Sequence, residues 1–259
     1  MRALLVIVAV ALTCLAPGTQ GAVATRGVPV LVELFTSEGC SSCPPADALL
    51  QSLAETQPIA GAEIVALGQH VDYWDRLGWK DRFSSSALTN RQQGYGRVLN
   101  VDSIYTPQIV VDGQAELVGS DATGARRAIA RAASAPHASL SIAVEPVGSD
   151  RVAVSVSAAD LPKVSRGDRV DFVLAVTESA LRSDVRAGEN KGRVLTHAAV
   201  VRELKTMGEA VGTPLSGRSE AGIAPDWQRE HVTIVVFIQE RASRRVLGAA
   251  AVALSSVRR

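Results

Sequence analysis

The pattern of hydrophobic and polar positions differs between the two halves of the chain. In the first half, an apolar run over residues 28–36 predicts a buried strand, and residues 46–53 carry apolar side chains at the spacing of one helix face. A second strand is predicted over 63–71, a hairpin over 108–118 and a helix over 123–133. This order, β-α-β and then β-β-α after a long polar and aromatic connection, predicts an α/β unit.

From residue 139 onward, short segments alternate between apolar and polar positions and are separated by turn-forming residues. The predicted strands cover 140–144, 151–156, 169–177, 231–239 and 246–254. Residues 198–204 have a helix-like pattern. The chain is therefore predicted to form an α/β lobe over residues 25–136 and a β-rich, sandwich-like lobe over 137–259 packed on it, with one continuous domain as the alternative.

The composition is that of an ordinary folded protein, with 47% hydrophobic and 20% charged residues. The 27 Lys and Arg residues nearly balance the 26 Asp and Glu residues, so no general electrostatic attraction to nucleic acid is expected. The sequence contains no glycine-rich phosphate loop, no Gly-x-Ser-x-Gly turn and no His-Glu-x-x-His pair. Nucleotide binding and these hydrolase mechanisms have no support, and no nucleic-acid partner is predicted.

The N-terminus has the features of a secretory signal peptide. Arg2 precedes a short apolar run over residues 3–12, and small residues follow at 22–24. The apolar run is shorter than the roughly 18 residues that a membrane-spanning helix requires. We therefore predict that residues 1–24 are removed, that the mature protein is periplasmic or secreted, and that it has no stable membrane insertion.

Removal of residues 1–24 would leave Cys40 and Cys43 as the two cysteines of the mature chain. In an oxidising compartment, such thiols pair with each other or with those of a client protein. The predicted strand-to-helix turn places them at a helix N-terminus, which stabilises a thiolate, so Cys40 is predicted to attack and Cys43 to resolve the mixed disulfide. The predicted function is thiol–disulfide exchange with protein thiol or disulfide clients, and a structural staple is the alternative.

Two other functions compete with thiol–disulfide exchange. His70 closes the second predicted strand, and with Cys40 and Cys43 it offers soft ligands that suit copper or zinc. A periplasmic copper-binding or metal-delivery protein is therefore an alternative, whereas the preferred interpretation needs no cofactor. A non-catalytic envelope interaction module is the third hypothesis. The other histidines have no clear ligand spacing and are interpreted as structural: His137, His197 and His231.

Aromatic residues are concentrated in the long connection of the first half. Six of the ten aromatic residues lie between residues 73 and 105, and Trp74 is among them. Such clustering favours a lid or groove beside the cysteines, where rigid aromatic surface binds a partner. A small satellite core that holds the connection together is an equal alternative.

Two local features resemble the thioredoxin superfamily. Tyr105-Thr106-Pro107, just before a predicted strand, resembles the loop whose proline is cis and faces the cysteine pair. The resemblance implies that Thr106 offers backbone hydrogen bonds to a bound chain and that Pro107 keeps the site open. Glu33, in the first strand, resembles a buried acid that accepts the proton of the resolving thiol, and an exposed carboxylate at a strand edge is the alternative.

Longer motifs closely resemble the secreted thioredoxin-like bacterial family catalogued as domain of unknown function 1223. These motifs lie within residues 32–47, 70–81, 105–113 and 192–202. The resemblance implies a thioredoxin-like fold with a β-rich companion, and it carries no settled activity. The residues that it carries over as a redox site are Cys40, Cys43 and Pro107. The predicted fold class is thus an α/β thioredoxin-like lobe followed by a β-rich, sandwich-like lobe.

Overall fold

The computed structural model describes residues 27–210 and 215–257. The predicted signal peptide, residues 1–24, lies outside the described residues. Within the described part of the chain, no helix is long and apolar enough to cross a membrane.

The described residues form three α-helices and thirteen β-strands. Those of the first half are β1 (Val28–Thr36), α1 (Pro44–Thr56), β2 (Ala62–His70), α2 (Ser86–Val98), β3 (Gln108–Val111), β4 (Ala115–Val118) and α3 (Ala122–Ala133). Those of the second half are β5 (Ser139–Val147), β6 (Arg151–Ala159), β7 (Val170–Glu178), β8 (Leu181–Asp184), β9 (Val194–His197), β10 (Val200–Glu209), β11 (Leu215–Gly222), β12 (Val232–Glu240) and β13 (Val246–Ala253).

Eight strands form one mixed sheet in the order β13-β12-β7-β10-β2-β1-β3-β4. β1 and β2 are parallel because α1 provides the crossover between them, and the β3-β4 hairpin adds to β1 in the antiparallel direction. β10 joins the other edge of β2, and β7, β12 and β13 continue the sheet with antiparallel pairing. A second sheet has the order β11-β6-β5, and β8 pairs with β9.

The predicted fold class, an α/β thioredoxin-like lobe followed by a β-rich, sandwich-like lobe, is wrong. Strands of both halves share the eight-stranded mixed sheet, and three α-helices are found in the described residues. The halves join where the Gly68 amide donates a hydrogen bond to the Ala199 carbonyl oxygen at 2.7 Å. A Cβ atom at Gly68 would lie 3.0 Å from the Ala198 carbonyl oxygen, so glycine permits this close backbone approach.

Two local predictions also differ from the structure. The helix-like pattern over residues 198–204 belongs instead to the start of β10, where the consecutive residues Val200 and Val201 are both buried because both faces of the sheet are covered. Helix α2 had no predicted counterpart in the polar connection. Its buried residues include Arg91 and Gln92, so it lacks the apolar stripe by which helices are recognised.

Alternate residues of β1 point to opposite faces of the large sheet. Val30, Val32 and Leu34 pack with α1 and α3, whereas Leu31 lies in the core that includes Leu88 of α2. The three-stranded sheet packs on the residues of β7 and β12 that face away from α2. The turn that carries the cysteines leaves the end of β1 toward α1, so it lies at the carboxyl ends of the parallel strands β1 and β2.

Candidate functional site

The two cysteines lie in the turn between β1 and α1 and form a disulfide. Their Cα atoms are 5.4 Å apart, and both residues are fully buried. Cys43 is the N-cap of α1, and its carbonyl oxygen accepts hydrogen bonds from the amides of Ala46 and Asp47 at 2.8 and 3.1 Å. Pro44 occupies the first helical position, where a missing amide hydrogen removes no hydrogen bond. The disulfide is therefore held at the N-terminus of α1.

The Thr106-Pro107 segment lies beside the cysteine turn, and its peptide bond is cis. Trp74 contacts both segments. Its Nε1 donates a hydrogen bond to Thr106 Oγ1 at 2.8 Å. Its Cβ atom packs against Gly39 of the cysteine turn, since a Cβ atom added to Gly39 would lie only 3.2 Å from it. Gly119 lies between Pro107 and the first turn of α1. A Cβ atom added to Gly119 would lie 2.8 Å from Pro107 Cβ and 3.1 Å from Ala46 Cβ, so Pro107 is close to α1. The structure thus brings the cysteines, Trp74, Thr106 and Pro107 together.

Tyr105, which is also a candidate client-binding residue, contacts β4 and α2. Its hydroxyl donates to Glu116 Oε2 on β4 at 2.7 Å, and its carbonyl oxygen accepts from Gln92 Nε2 at 2.7 Å. Burial, and then the adjacent Glu116 carboxylate, raise the pKa of Tyr105. These contacts make Tyr105 a support of the Thr106 segment.

Glu33 lies on the face of β1 opposite α1 and is fully buried. Arg91 binds it through two hydrogen bonds, from Nε to Oε2 at 2.6 Å and from Nη2 to Oε1 at 2.9 Å. Tyr95 and Gln69 also donate to the carboxylate, and Arg91 continues the network to Gln239 of β12 at 3.0 Å. Both oxygens of Glu33 are therefore occupied, and its predicted role as a proton acceptor gains no support from this geometry.

A loop from the second half of the chain, residues 185–193, is hydrogen-bonded to the cysteine turn. Asn190 is fully buried, and its Nδ2 donates to the carbonyl oxygens of Glu38 and Cys40, each at 2.9 Å. The Ser41 amide donates to Glu189 Oε2 at 3.0 Å, and this contact holds the pKa of Glu189 below its usual value. The 185–193 loop therefore fixes the backbone on both sides of Cys40.

Beneath the cysteine turn lies a group of titratable residues that we call the buried polar cluster: Glu38, His70, Asp81 and His197 are buried, and Asp47 is half-buried. His70 Nδ1 lies 2.6 Å from Asp81 Oδ2, which also accepts the Glu38 amide at 2.9 Å. His197 Nε2 lies 3.3 Å from Glu38 Oε1, and the two imidazole rings are 4.9 Å apart in an edge-on arrangement. The cluster joins β1, α1, β2 and β9.

Burial and mutual contacts shift the pKa values of the buried polar cluster. Burial opposes the ionisation of both Asp81 and Glu38. His70 and two backbone amides nevertheless hold the pKa of Asp81 below its usual value. The hydrogen bond with His197 likewise holds the pKa of Glu38 below its usual value. Burial disfavours charged His70, yet Asp81, Asp47 and Glu38 raise its pKa. Asp47 differs from the other acids, because burial raises the pKa of its carboxyl group.

Several residues of this site were missed in the sequence. The sequence predicts a structural role for His197 and no role for Asp47, Glu189 and Asn190. Asp47 and His197 do lie inside the motifs within residues 32–47 and 192–202, so the family resemblance carried a signal for them. Asn190 lies outside those motifs, and its contact with Cys40 spans 150 residues, so no local pattern indicates it.

The cysteines of the predicted alternative metal site at Cys40, Cys43 and His70 are present here in their oxidised form. The cysteines are joined to each other, and His70 Nδ1 is engaged by Asp81. Across residues 27–210 and 215–257, no group of three or more His, Cys, Asp or Glu side chains is arranged to hold a metal ion.

Comparison with solved structures finds proteins of similar fold over about nine-tenths of this chain. The crystal structure of protein AGR_C_4864 from Agrobacterium tumefaciens is 28% identical, with a TM-score of 0.65 over 91% of this chain and 99% of that chain. HBP35 of Porphyromonas gingivalis is 12% identical, with a TM-score of 0.60 over 90% of this chain and 77% of that one, which is a likeness of fold alone. No curated protein matches. The profile of the family described as "Protein of unknown function (DUF1223)" matches residues 31–239, which confirms the family resemblance, and the chain belongs to this family.

Proposed function

We propose that the protein is an exported thiol–disulfide oxidoreductase that exchanges the Cys40–Cys43 disulfide with cysteines of client proteins. The observation that carries the proposal is the position of the disulfide at the N-terminus of α1, beside the Thr106-Pro107 segment. A helix N-terminus stabilises a thiolate, and two cysteines separated by two residues can form and resolve a mixed disulfide. The proposed compartment is the periplasm or the exterior, where disulfides persist.

The exchange is balanced in electrons and protons. A client thiolate attacks Cys40 Sγ, the bond between the two Sγ atoms breaks, and Cys43 leaves as a thiolate that takes up a proton. A second client thiolate then attacks the client sulfur of the mixed disulfide and expels the Cys40 thiolate, which is also protonated. Two electrons pass from the client dithiol to the cysteine pair, and the same steps in reverse reduce a client disulfide.

Contacts of Cys40 support its role as the attacked and attacking sulfur. Ser42 Oγ lies 3.4 Å from Cys40 Sγ, so the hydroxyl can donate a hydrogen bond to a Cys40 thiolate. Hydrogen bonding to a charged form favours that form. Together with the α1 N-terminus, this contact supports a stable Cys40 thiolate in the reduced protein.

The backbone of Thr106 supports the binding of an extended client segment. Within the described residues, neither its amide nor its carbonyl has a hydrogen-bond partner, while Trp74 fixes its side chain. Free backbone groups of this kind pair with the backbone of an extended peptide. A client cysteine on such a peptide would lie next to the cysteine turn.

The burial of both cysteines sets a requirement for the reaction. A client sulfur reaches Cys40 only when a neighbouring segment moves. We assign this movement to the 185–193 loop, because Glu189 and Asn190 bind the backbone on both sides of Cys40. Exchange then begins with the breaking of these hydrogen bonds.

Trapping of the mixed disulfide tests the proposed function. The reduced Cys43→Ser variant is mixed with a synthetic peptide that contains an intramolecular disulfide, and adducts are measured by intact mass after alkylation. We expect a one-to-one adduct, because the substituted hydroxyl cannot release the peptide from Cys40 and alkylation caps the freed peptide thiol, which would otherwise close its own disulfide again. The matched control is Cys40→Ser, which keeps one thiol and is expected to form little adduct. No adduct, or equal adduct from both variants, would contradict the proposal.

A further inference from the structure

A groove that contains three arginine side chains lies beside the segment that precedes α2. One half is a cleft of about 400 Å³, and an adjoining cleft of about 330 Å³ forms the other half. Glu178 and Arg182 line the first cleft. The two clefts form one elongated surface, which we call the arginine groove, because they share four lining residues: Arg82, Phe83, Arg202 and Trp227.

The Arg202 guanidinium is held in place within the arginine groove. It lies over the rings of Phe83 and Trp227, 5.3 and 5.0 Å from their centroids, and its Nη1 is 3.2 Å from Glu178 Oε2. Glu178 is 2% exposed, and its Oε1 accepts the Gln228 amide at 2.9 Å. Two aromatic faces and a buried carboxylate therefore fix the guanidinium before a ligand binds, which lowers the entropic cost of binding.

Glu178 has hydrogen-bonding capacity that the protein does not use. Within residues 27–210 and 215–257, its Oε2 has an ion-pair partner in Arg202 but no hydrogen-bond partner. Buried polar atoms nearly always have such a partner, so an exception that lines a cleft points to a ligand. An N–H group of a ligand in the groove would supply the missing donor.

Arg82 and Arg182 add two exposed guanidinium groups to the first cleft. The Arg82 guanidinium lies 4.6 Å from the centroid of the Phe83 ring, and its Nη2 donates to the Arg182 carbonyl oxygen at 2.8 Å. The Arg182 side chain is 65% exposed, and its Nη2 is 3.5 Å from Asp184 Oδ1. The three guanidinium groups outnumber the two carboxylates of this cleft, Glu178 and Asp226. The first cleft therefore favours a ligand with carboxylate groups, which arginine binds through paired hydrogen bonds.

The adjoining cleft is more apolar than the first. Its apolar lining residues are Ala87, Leu88, Val201 and Leu204. Its carboxylate, that of Glu203, is paired with Lys205 Nζ at 2.5 Å. Small-molecule sites usually enclose most of their ligand, whereas this groove is elongated and open to solvent. An extended peptide segment fits this shape better than a small molecule does.

We propose that the arginine groove binds an extended segment of a partner protein in which acidic side chains stand next to apolar ones. The acidic side chains bind Arg82 and Arg182, the apolar side chains lie in the adjoining cleft, and a backbone N–H group donates to Glu178 Oε2. Clusters of arginine recognise acidic peptide motifs in this way. Arg182 belongs to β8, which leads into the 185–193 loop, so a bound partner lies at the base of the hairpin that covers Cys40.

The test is the fluorescence anisotropy of a labelled synthetic peptide, Asp-Asp-Glu-Leu-Leu, titrated with the purified oxidised protein. We expect saturable binding that is at least about tenfold weaker in Arg82→Ala and in Arg182→Ala, because each variant removes a guanidinium that binds carboxylates. Both residues are exposed, so neither change is expected to prevent folding. Arg126→Ala, which removes an exposed arginine of α3, is the control and is expected to match the wild type.

Changes in the peptide test the two halves of the groove separately. Asn-Asn-Gln-Leu-Leu and Asp-Asp-Glu-Ser-Ser are both expected to bind more weakly than the first peptide, because one lacks the charges and the other lacks the apolar side chains. Charge reversal adds a gain of binding: Arg182→Glu is expected to bind Lys-Lys-Lys-Leu-Leu more tightly than the wild type does. No saturable binding, or unchanged affinity in both arginine variants, would overturn the inference. Displacement of the peptide by glutarate at an equal concentration would overturn the assignment to a peptide and show a small dicarboxylate site.

This inference goes beyond the proposed function and does not depend on it. The binding peptides contain no cysteine, so their affinity for the groove requires no exchange reaction. A Cys43→Ser variant that traps no disulfide peptide would contradict the proposed function and leave the peptide site standing. Failure of the acidic peptide to bind would overturn the peptide site and leave the exchange reaction standing.

Discussion

His137 and Asp112 form an ion pair where the chain passes from α3 to β5. His137 Nε2 lies 2.9 Å from Asp112 Oδ2, and Asp112 Oδ1 accepts the Leu31 amide at 2.8 Å. The hydrogen bond that His137 donates to the Asp112 carboxylate outweighs burial and raises the pKa of His137. His137 therefore connects the end of α3 to the β3-β4 turn and, through Asp112, to β1.

The raised pKa of His137 predicts a dependence of stability on pH. Its contribution is fully present below the unfolded histidine pKa of about 6.5 and is lost as pH rises through the folded pKa. We expect the free energy of unfolding in urea to fall between about pH 6.5 and 9, and to fall less in His137→Gln. The change is expected to be of the order of 1 kcal/mol, because the side chains of His137 and Asp112 are 7% and 1% exposed and solvent screens the pair little.

His231→Gln is the matched control for this measurement. The His231 ring makes no hydrogen bond in the part of the chain that the structure describes. This variant is expected to keep the wild-type slope. An equal slope in His137→Gln and the wild type would show that the Asp112 pair does not couple protonation to folding.

The surroundings of the two cysteines could be predicted from the sequence, whereas those of Asn190 and His197 could not. Cys40 and Cys43 could be located at a strand-to-helix turn, because the apolar run, the cysteines and the helical spacing follow one another along the chain. The disulfide between them is present in the structure. Asn190 and His197 reach this turn through contacts across much of the chain, and such contacts leave no periodic pattern.

At the scale of elements, a buried ion pair attaches α2 to the large sheet. Glu33 of β1 pairs with Arg91 of α2, and Arg91 also binds Gln239 of β12. A helix fixed by charge lacks an apolar stripe, which is why α2 could not be predicted from the hydrophobic pattern. The β3-β4 hairpin could be predicted, because its pairing partners lie a few residues apart.

We expect Glu33→Gln to destabilise the protein by about 3–5 kcal/mol, because the change leaves the buried Arg91 guanidinium without its counter-charge. The measurement is urea unfolding, with the rate of disulfide reduction measured on the folded variant. The rate is expected to match that of the wild type. The double variant Glu33→Gln with Arg91→Met is the control and is expected to recover part of the lost stability. A stable variant with slow exchange would instead make Glu33 part of the redox chemistry.

The 185–193 loop is the element whose movement limits access to Cys40. Asn190→Ala removes two buried hydrogen bonds to the cysteine turn, so we expect faster reduction by dithiothreitol and a loss of about 1–3 kcal/mol in stability. Lys191→Ala changes an exposed residue of the same loop and is expected to leave both values unchanged. An unaltered reduction rate in Asn190→Ala would show that another segment controls access.

At the scale of the whole molecule, one sheet joins the two halves. Five strands of the second half could be predicted from their period-two pattern, namely β5, β6, β7, β12 and β13, whereas β8, β9, β10 and β11 could not. Which of these strands join the large sheet could not be predicted either. Within the sheet, β10 and β2 pair through Val200 and Gly68, and no hydrophobic pattern encodes such a contact. The pattern therefore predicts an α/β fold class with a β-rich companion, whereas the structure has one mixed sheet of eight strands.

The continuous sheet predicts cooperative unfolding. In Gly68→Ala, the new Cβ atom would lie 3.0 Å from the Ala198 carbonyl oxygen, so β2 and β10 must separate slightly. We expect a loss of about 1–3 kcal/mol, with a single urea transition by fluorescence and circular dichroism. Gly222→Ala is the control, since an added Cβ atom there meets nothing within 4 Å. Two separate transitions in the wild type would contradict the shared sheet as a cooperative unit.

The most direct test of the proposed redox function is the equilibrium reduction potential of the Cys40–Cys43 pair, measured in glutathione buffers on the purified protein. A catalytic pair must exchange electrons with thiols of its compartment. We therefore expect a potential between about −120 and −270 mV, the range of known exchange proteins. A potential below about −300 mV is typical of structural disulfides, and that result would contradict the account.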